Sequence, residues 1–250
     1  MILYSRRGLH GQLVESLGKR IVRGELLPGD VVDVDRLEVD HAVSRTVVRE
    51  AIKVLTTKGL LDARPKRGTF VRPRAQWNLL DADVMTWRDE GHGPDQQLLQ
   101  DLDEVRRAVE PPGARLAAER RTEQDLAEID AALQDMVDTA HVKGDEHIAA
   151  DLRFHRAVLV ASHNELLARL EVVLEPALRA RNALAFSEDS GNHFIEAHRR
   201  VLEQIRSGDG PGAQKAMEML LVDAAADTAA ILARRAPGRR RAGADRSRKR

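Results

Sequence analysis

The chain has no cysteine, which excludes disulfides and thiolate metal sites and is compatible with a reducing compartment. Aromatic residues make up only 3% of its 250 positions, and the β-branched residues are scattered, which argues against an extensive sheet. Ala, Leu, Arg and Glu dominate instead, the types that lose least on entering a helix. No apolar run approaches the roughly 18 residues of a membrane-spanning helix, and no basic-plus-apolar leader marks the N-terminus. A mainly helical, cytoplasmic protein is expected, and 42% hydrophobic content allows two modest domains.

The formal net charge is zero but unevenly spread. Residues 1–75 hold 15 Lys/Arg and 9 Asp/Glu, residues 76–233 hold 16 and 30, and residues 234–250 hold 9 and 1. Basic ends therefore flank an acidic middle. Each Lys or Arg that neutralises a phosphate releases counterions, so the basic N-terminal module suggests a polyanionic partner. The last 17 residues have no apolar side chain beyond Ala and Pro and read as a disordered basic tail.

Within the basic module, Leu9, Leu13, Leu17 and Ile21 recur every fourth residue, with Val14 and Val22 widening the stripe. The spacing predicts an amphipathic helix that stops at Gly24. A short helix over Asp35 to His41 follows, and Ser44 is placed to cap a third, R-T-V-V-R-E-A-I-K-V-L-T-T-K, ending at Gly59. Val47 or Val48, Ala51, Ile52 and Leu55 would face inward, leaving Arg45, Thr46 and Arg49 to point outward near its start. In a helix-turn-helix the second helix enters the major groove by that end. The following L-L-D-A-R-P-K-R-G-T-F-V reads as a β-hairpin with Pro65, Lys66, Arg67 and Gly68 at its tip.

Taken together, S-R-T-V-V-R-E-A-I-K-V-L, G-L-L and K-R-G-T-F-V resemble the winged helix-turn-helix of GntR-family bacterial regulators. The resemblance implies contacts to double-stranded operator DNA from Ser44, Arg45, Thr46, Arg49, Lys66, Arg67 and Gly68. One position departs from the family: many members have an Arg where this chain has Asp35, with Arg36 beside it. Further on, V-R-R-A-V-E-P-P-G-A-R-L-A-A-E-R, D-L-R-F-H-R-A-V, H-N-E-L-L and E-A-H-R-R-V-L resemble the FCD ligand-binding domain of the FadR-type branch. The connector R-A-Q-W-N-L-L-D-A-D-V-M-T-W is similar to that of galactonate operon repressors and related sugar-acid regulators.

The expected fold is mainly α: a winged helix-turn-helix over 1–73, a connector over 74–94, an all-helical antiparallel FCD-like bundle over 95–233, and the tail 234–250. Trp77 and Trp87 in the connector suit a packing joint. Helix breaks are expected at Pro111-Pro112, Arg121-Thr122, Gly144, Ser162 to Asn164, Ser187 to Gly191 and Gly208 to Gly212, giving six or seven helices in the body.

Asp151 and His155 stand four apart on one predicted helix, so they share a face. A carboxylate with an imidazole suits a divalent cation such as Zn, Ni or Mn. By the FCD resemblance His198 is a third ligand, and the usual fourth falls at about Leu220, which cannot coordinate; His193 or Glu196 is a conceivable replacement. Arg106 matches the family arginine of V-R-x-x-V-E, and its guanidinium fork fits an effector carboxylate. Arg107 is expected to face solvent or Glu110, and Asn164 to cap a helix.

The resulting expectation is a homodimeric, ligand-responsive regulator, nucleoid-associated when on its operator. It would repress sugar-acid (galactonate- or gluconate-like) catabolism genes and leave DNA when a small carboxylate binds. Three alternatives stand beside it: a sensor of another small carboxylate such as lactate, a metal-dependent enzyme built on two histidines and one carboxylate, and an architectural DNA binder that clamps through its tail.

Overall fold

The computed structural model describes residues 8–64, 66–89, 96–141, 145–170, 175, 178–179, 182 and 193–235. It begins with α1 (Leu9–Val22), whose Leu13, Val14, Leu17 and Ile21 are buried as their four-residue spacing requires. α2 (Val34–Asp40) lies one residue earlier at both ends than the expected Asp35 to His41, because Asp33 caps it, accepting from Arg36 N at 3.1 Å. α3 (Arg45–Thr57) is capped by Ser44, and buries Val48, Ala51, Ile52 and Leu55 against α1 and α2.

The hairpin is larger than the sequence suggested. Strand β1 (Val31–Val32) precedes it and pairs antiparallel with β3 (Gly68–Val71), which pairs in turn with β2 (Leu61–Arg64), giving the order β1-β3-β2. A two-residue strand shows no alternation in sequence, so only its partner reveals it. Lys66 and Gly68 turn the tip with positive φ, 64° and 78°. Gly68 adopts this freely, whereas Lys66 does so at a cost.

The connector packs firmly. Trp77 Nε1 donates to Arg72 O at 2.9 Å, and helix α4 (Ala82–Asp89) buries Val84 and Trp87 in the N-terminal core. Gly18 of α1 makes room for that indole: a Cβ there would lie 2.3 Å from the ring. Met85 of α4 joins a different apolar cluster with Leu98, Leu102, Ile148, Leu152 and Leu178. One short helix thus touches both cores.

The body consists of α5 (Gln96–Arg120), α6 (Glu123–Thr139), α7 (Asp145–Ala161), helical residues 165–170, α8 (His193–Ser207) and α9 (Gly210–Arg235). The expected breaks at Arg121-Thr122 and Ser162 to Asn164 occur, the one expected over Gly208 to Gly212 is confined to Gly208 and Asp209 because α9 already begins at Gly210, and Asn164 caps as anticipated, accepting from Leu166 N at 3.0 Å. Pro111-Pro112 is not a break: α5 runs through both prolines. Each removes a backbone bond, at about 3 kcal/mol in an isolated helix, but α5 is packed along α7, α8 and α9. Gly113 lets Leu159 approach so closely that a Cβ would sit 2.4 Å from it. Packing offsets the lost bonds.

The breaks expected at Gly144 and at Ser187 to Gly191, and the tail beyond Arg235, lie outside the described residues; Arg234 and Arg235 end α9. Among the described residues no helix is long and apolar enough to cross a membrane.

Candidate effector site and DNA-reading surface

His147, Asp151 and His155 recur every fourth residue of α7, forming one line of side chains. A polar line like this is normally solvated, yet all three are buried. His198 of α8 and Arg106 and Glu110 of α5 are buried beside Asp151 and His155, as is Asn182. So many buried polar groups are tolerable only when paired.

They pair closely. Arg106 donates through Nε to Glu110 Oε1 at 2.5 Å and through Nη2 to Oε2 at 3.3 Å, a two-point grip one helical turn long. The same Nη2 lies 3.1 Å from His155 Nε2. His155 Nδ1 is 2.7 Å from Glu110 Oε2, although the approach is too oblique for an aligned hydrogen bond. Asn182 Nδ2 donates to Asp151 Oδ2 at 2.5 Å. His198 Nδ1 faces Phe194 O at 2.8 Å, which directs Nε2 inward, and the rings of Phe154 and Phe194 close over that imidazole.

Electrostatics follow from this packing. Burial disfavours charge on Glu110, but Arg106 and His155 outweigh it and hold the carboxyl at about 2. Burial likewise opposes charge on Asp151, and the two histidines hold it well below the ordinary carboxylate range. For His155, Glu110 and Asp151 overcome burial and Arg106, raising it to about 9. His198 moves down, burial being the main cause. The Arg106 contact at His155 Nε2 requires a lone pair there, whereas the raised value puts a proton on the ring. The raised direction is the one the two carboxylates dictate, and Arg106 must then shift when His155 is protonated.

A metal ion fits the inner donors. Asp151 Oδ1 is buried without a hydrogen bond, and Asp151, His155 and His198 offer atoms within 4.8 Å of one another. Their separations are 3.2 Å from His198 Nε2 to Asp151 Oδ1, 3.4 Å between the two Nε2 atoms, and 3.7 Å from His155 Nε2 to Asp151 Oδ1. A tetrahedron with zinc-like bonds has edges of about 3.3 Å. Glu110 behind His155 and the Phe194 carbonyl behind His198 stand where supporting groups for metal-bound imidazoles usually do.

Other expected ligands lie elsewhere. Leu220 is buried in the apolar core with Met217 and Leu221. His193 is exposed and 3.5 Å from Asp223, and Glu196 is exposed and 3.7 Å from Arg199, so neither replaces a ligand. Arg107 is exposed with Nε on Asp103 O at 3.3 Å; Glu110 belongs to Arg106 instead. Glu110 and Asn182 were not anticipated as site residues. Glu110 follows Arg106 by one turn and was recoverable, whereas Asn182 reaches Asp151 across 31 residues with no local signal. A surface cleft of about 410 Å³ between α6 and α7, lined by Gln124, Arg153 and Arg156 among others, shares no residue with this cluster.

On the N-terminal module, Ser44, Arg45, Thr46, Arg49, Lys66, Arg67 and Gly68 are all exposed, at the start of α3 and the tip of the hairpin. Arg67 stacks over Phe70 at 4.0 Å, with Arg64, unremarked in the sequence, at 5.6 Å from the same ring. Phe70 therefore supports two guanidiniums of the wing.

Comparison with known proteins agrees with this layout. The pattern of the bacterial regulatory proteins of the gntR family matches residues 9–71, and that of the FCD domain matches residues 101–223. The galactonate operon transcriptional repressor of Escherichia coli (strain K12) is 37% identical over 82% of this chain and 90% of its own. The HTH-type transcriptional regulator LutR of Bacillus subtilis (strain 168) is 33% identical over 79% of this chain and 90% of its own. Among solved structures, Lar, described as controlling the agr system of Listeria monocytogenes, aligns with a TM-score of 0.60 over 91% of this chain and 99% of its own. At 18% identity that likeness shows the fold alone.

Proposed function

The chain belongs to the gntR family of bacterial regulatory proteins and carries an FCD domain, and from that premise we propose that its helical body is the receptor for a small 2-hydroxy carboxylate, a sugar acid first among them. The protein is a DNA-binding transcriptional regulator, not an enzyme. In this reading it acts in the cytoplasm as a homodimer on a palindromic operator, represses sugar-acid catabolism genes, and leaves DNA when the acid binds. Its operator contacts come from Ser44, Arg45, Thr46, Arg49, Lys66, Arg67 and Gly68.

The observation that carries the proposal is the charge of the buried cluster. Arg106, Glu110 and Asp151 together leave a single negative charge once both imidazoles are neutral, the form that metal coordination requires and that displaces the proton His155 otherwise holds. A divalent cation (Zn, Ni or Mn) held by Asp151, His155 and His198 would make the set cationic by one charge and offer open positions to a carboxylate oxygen and an adjacent hydroxyl. One monocarboxylate then brings the total to zero. Arg106 supplies the second point of recognition by exchanging part of its grip on Glu110 for the incoming carboxylate. A ligand near the galactonate class is also favoured by the likeness to a galactonate operon repressor.

Thermal melting of the full chain with D-galactonate, D-gluconate or L-lactate, with and without chelator, tests this. A ligand that binds only the folded form raises the midpoint, by an amount that grows with the logarithm of its concentration above the dissociation constant. A rise with a sugar acid that chelation abolishes is expected; a rise with L-lactate alone would move the ligand class, and no rise with any of the three would refute the reading.

A further inference from the structure

The DNA-reading surface of this protein contains a carboxylate where a basic side chain is the more obvious choice. Asp35 lies in the first turn of α2 with its side chain 78% exposed, and Arg45 opens α3 with its side chain 64% exposed. They are joined: Arg45 Nη1 donates to Asp35 Oδ1 at 2.9 Å. Glu38 Oε1, buried and without a hydrogen bond, stands 3.7 Å from the same nitrogen. Arg36 is turned away to Asp40 Oδ2 at 3.3 Å, so it does not compete for Asp35. Two carboxylates of the first helix therefore aim at the first arginine of the second.

An arginine carries five donors in a planar fork. With Nη1 directed at Asp35, Nε and Nη2 form the remaining edge, and two adjacent donors are what O6 and N7 of guanine require. A carboxylate near the phosphate backbone is repelled, so Asp35 cannot favour DNA binding in general. Its benefit has to come through Arg45, as a side chain oriented before DNA arrives has less rotamer freedom left to lose.

We propose that Asp35 is a specificity-determining residue that positions Arg45 to read one guanine of the operator. It rests on the reading of Arg45 as an operator contact given above, and assigns that contact to a base edge. Asp35 works against affinity for DNA of any sequence and in favour of discrimination at one base pair.

The test uses the full-length protein and a randomised double-stranded DNA library. Wild type enriches a duplex; affinities are then measured for that duplex, for each single base-pair substitution of it, and for a scrambled duplex, using wild type, D35A, D35E and R45A. Both D35A and R45A are expected to lose discrimination at the same base pair by about tenfold. D35A should bind the scrambled duplex as well as or better than wild type, and D35E should recover part of the discrimination. If D35A strengthens binding to every duplex equally with base preference intact, Asp35 merely repels phosphate and the inference is wrong. Loss of preference in R45A but not in D35A overturns the inference alone; no loss in R45A overturns the Arg45 reading with it. Should D35A melt below the assay temperature, D35L, which likewise has no acceptor for Arg45 Nη1, carries the same expectation.

Discussion

His198 Nε2 lies 3.2 Å from Asp151 Oδ1, joining α8 to α7 at a point from which solvent is excluded. That oxygen has no hydrogen bond, while its partner Oδ2 is satisfied by Asn182. One half of the carboxylate is thus fixed, and the other half is the oxygen that a cation would take in the proposed function.

Replacing Asp151 by Asn keeps the shape but removes the charged ligand. In D151N, Zn, Ni or Mn added to chelator-treated protein should no longer raise the melting midpoint, whereas wild type should gain several degrees. Binding to a selected operator duplex should persist, because the winged helix is untouched. An undiminished metal-induced shift in D151N would remove Asp151 from the ligand set.

Arg106 and Glu110 are each only a few per cent exposed, so deleting one strands the other. R106A should lose about 3–5 kcal/mol of stability in urea denaturation, and the R106A/E110A double variant should be less destabilised than the two single losses summed. Additive losses would show that the buried pair is not coupled.

The raised His155 gives stability a sign on the alkaline side. Its folded value of about 9 against 6.5 means the protonated form favours the native state: that contribution is complete below 6.5 and is lost as pH rises through 9. In chelator, the wild-type midpoint should decline between those values. H155Q should show a flatter profile over the same window. A wild-type profile flat from 6.5 to 9 would mean that His155 is neutral throughout.

Alanine normally improves a helix over glycine by about 1 kcal/mol, but G18A in α1 should do the reverse. The new Cβ would collide with the Trp87 ring, and α4 would have to lift from the N-terminal core. Because Met85 on the same helix packs in the body's cluster, G18A should also alter how far effector weakens DNA binding. Tryptophan fluorescence and operator titration with and without D-galactonate measure both effects; a variant more stable than wild type with unchanged response would deny α4 this role.

Regular periodicity made the DNA-binding module legible: four-residue apolar steps gave α1 and α3, and Ser44 gave the cap. The two-residue β1 left no trace, and Pro111-Pro112 read as a stop because tertiary packing, which holds α5 together there, is not written locally. The same division runs through the site. Asp151 and His155 announce themselves by sharing a face, His198 and Arg106 came from the family resemblance, and Asn182 is visible only once the chain is folded. Asp35 stood out as a departure, but its partner Arg45 is ten residues away on another helix.

In the proposed function, effector and operator bind to opposed states of one molecule. This is tested most directly by measuring affinity of the full-length, metal-loaded protein for its selected operator duplex across D-galactonate concentrations, and affinity for D-galactonate with and without that duplex. Mutual weakening by the same factor, about 5- to 150-fold for typical coupled sites, is the predicted result. Simultaneous binding with neither affinity changed would mean that the two sites are uncoupled and that the acid does not release the protein from DNA.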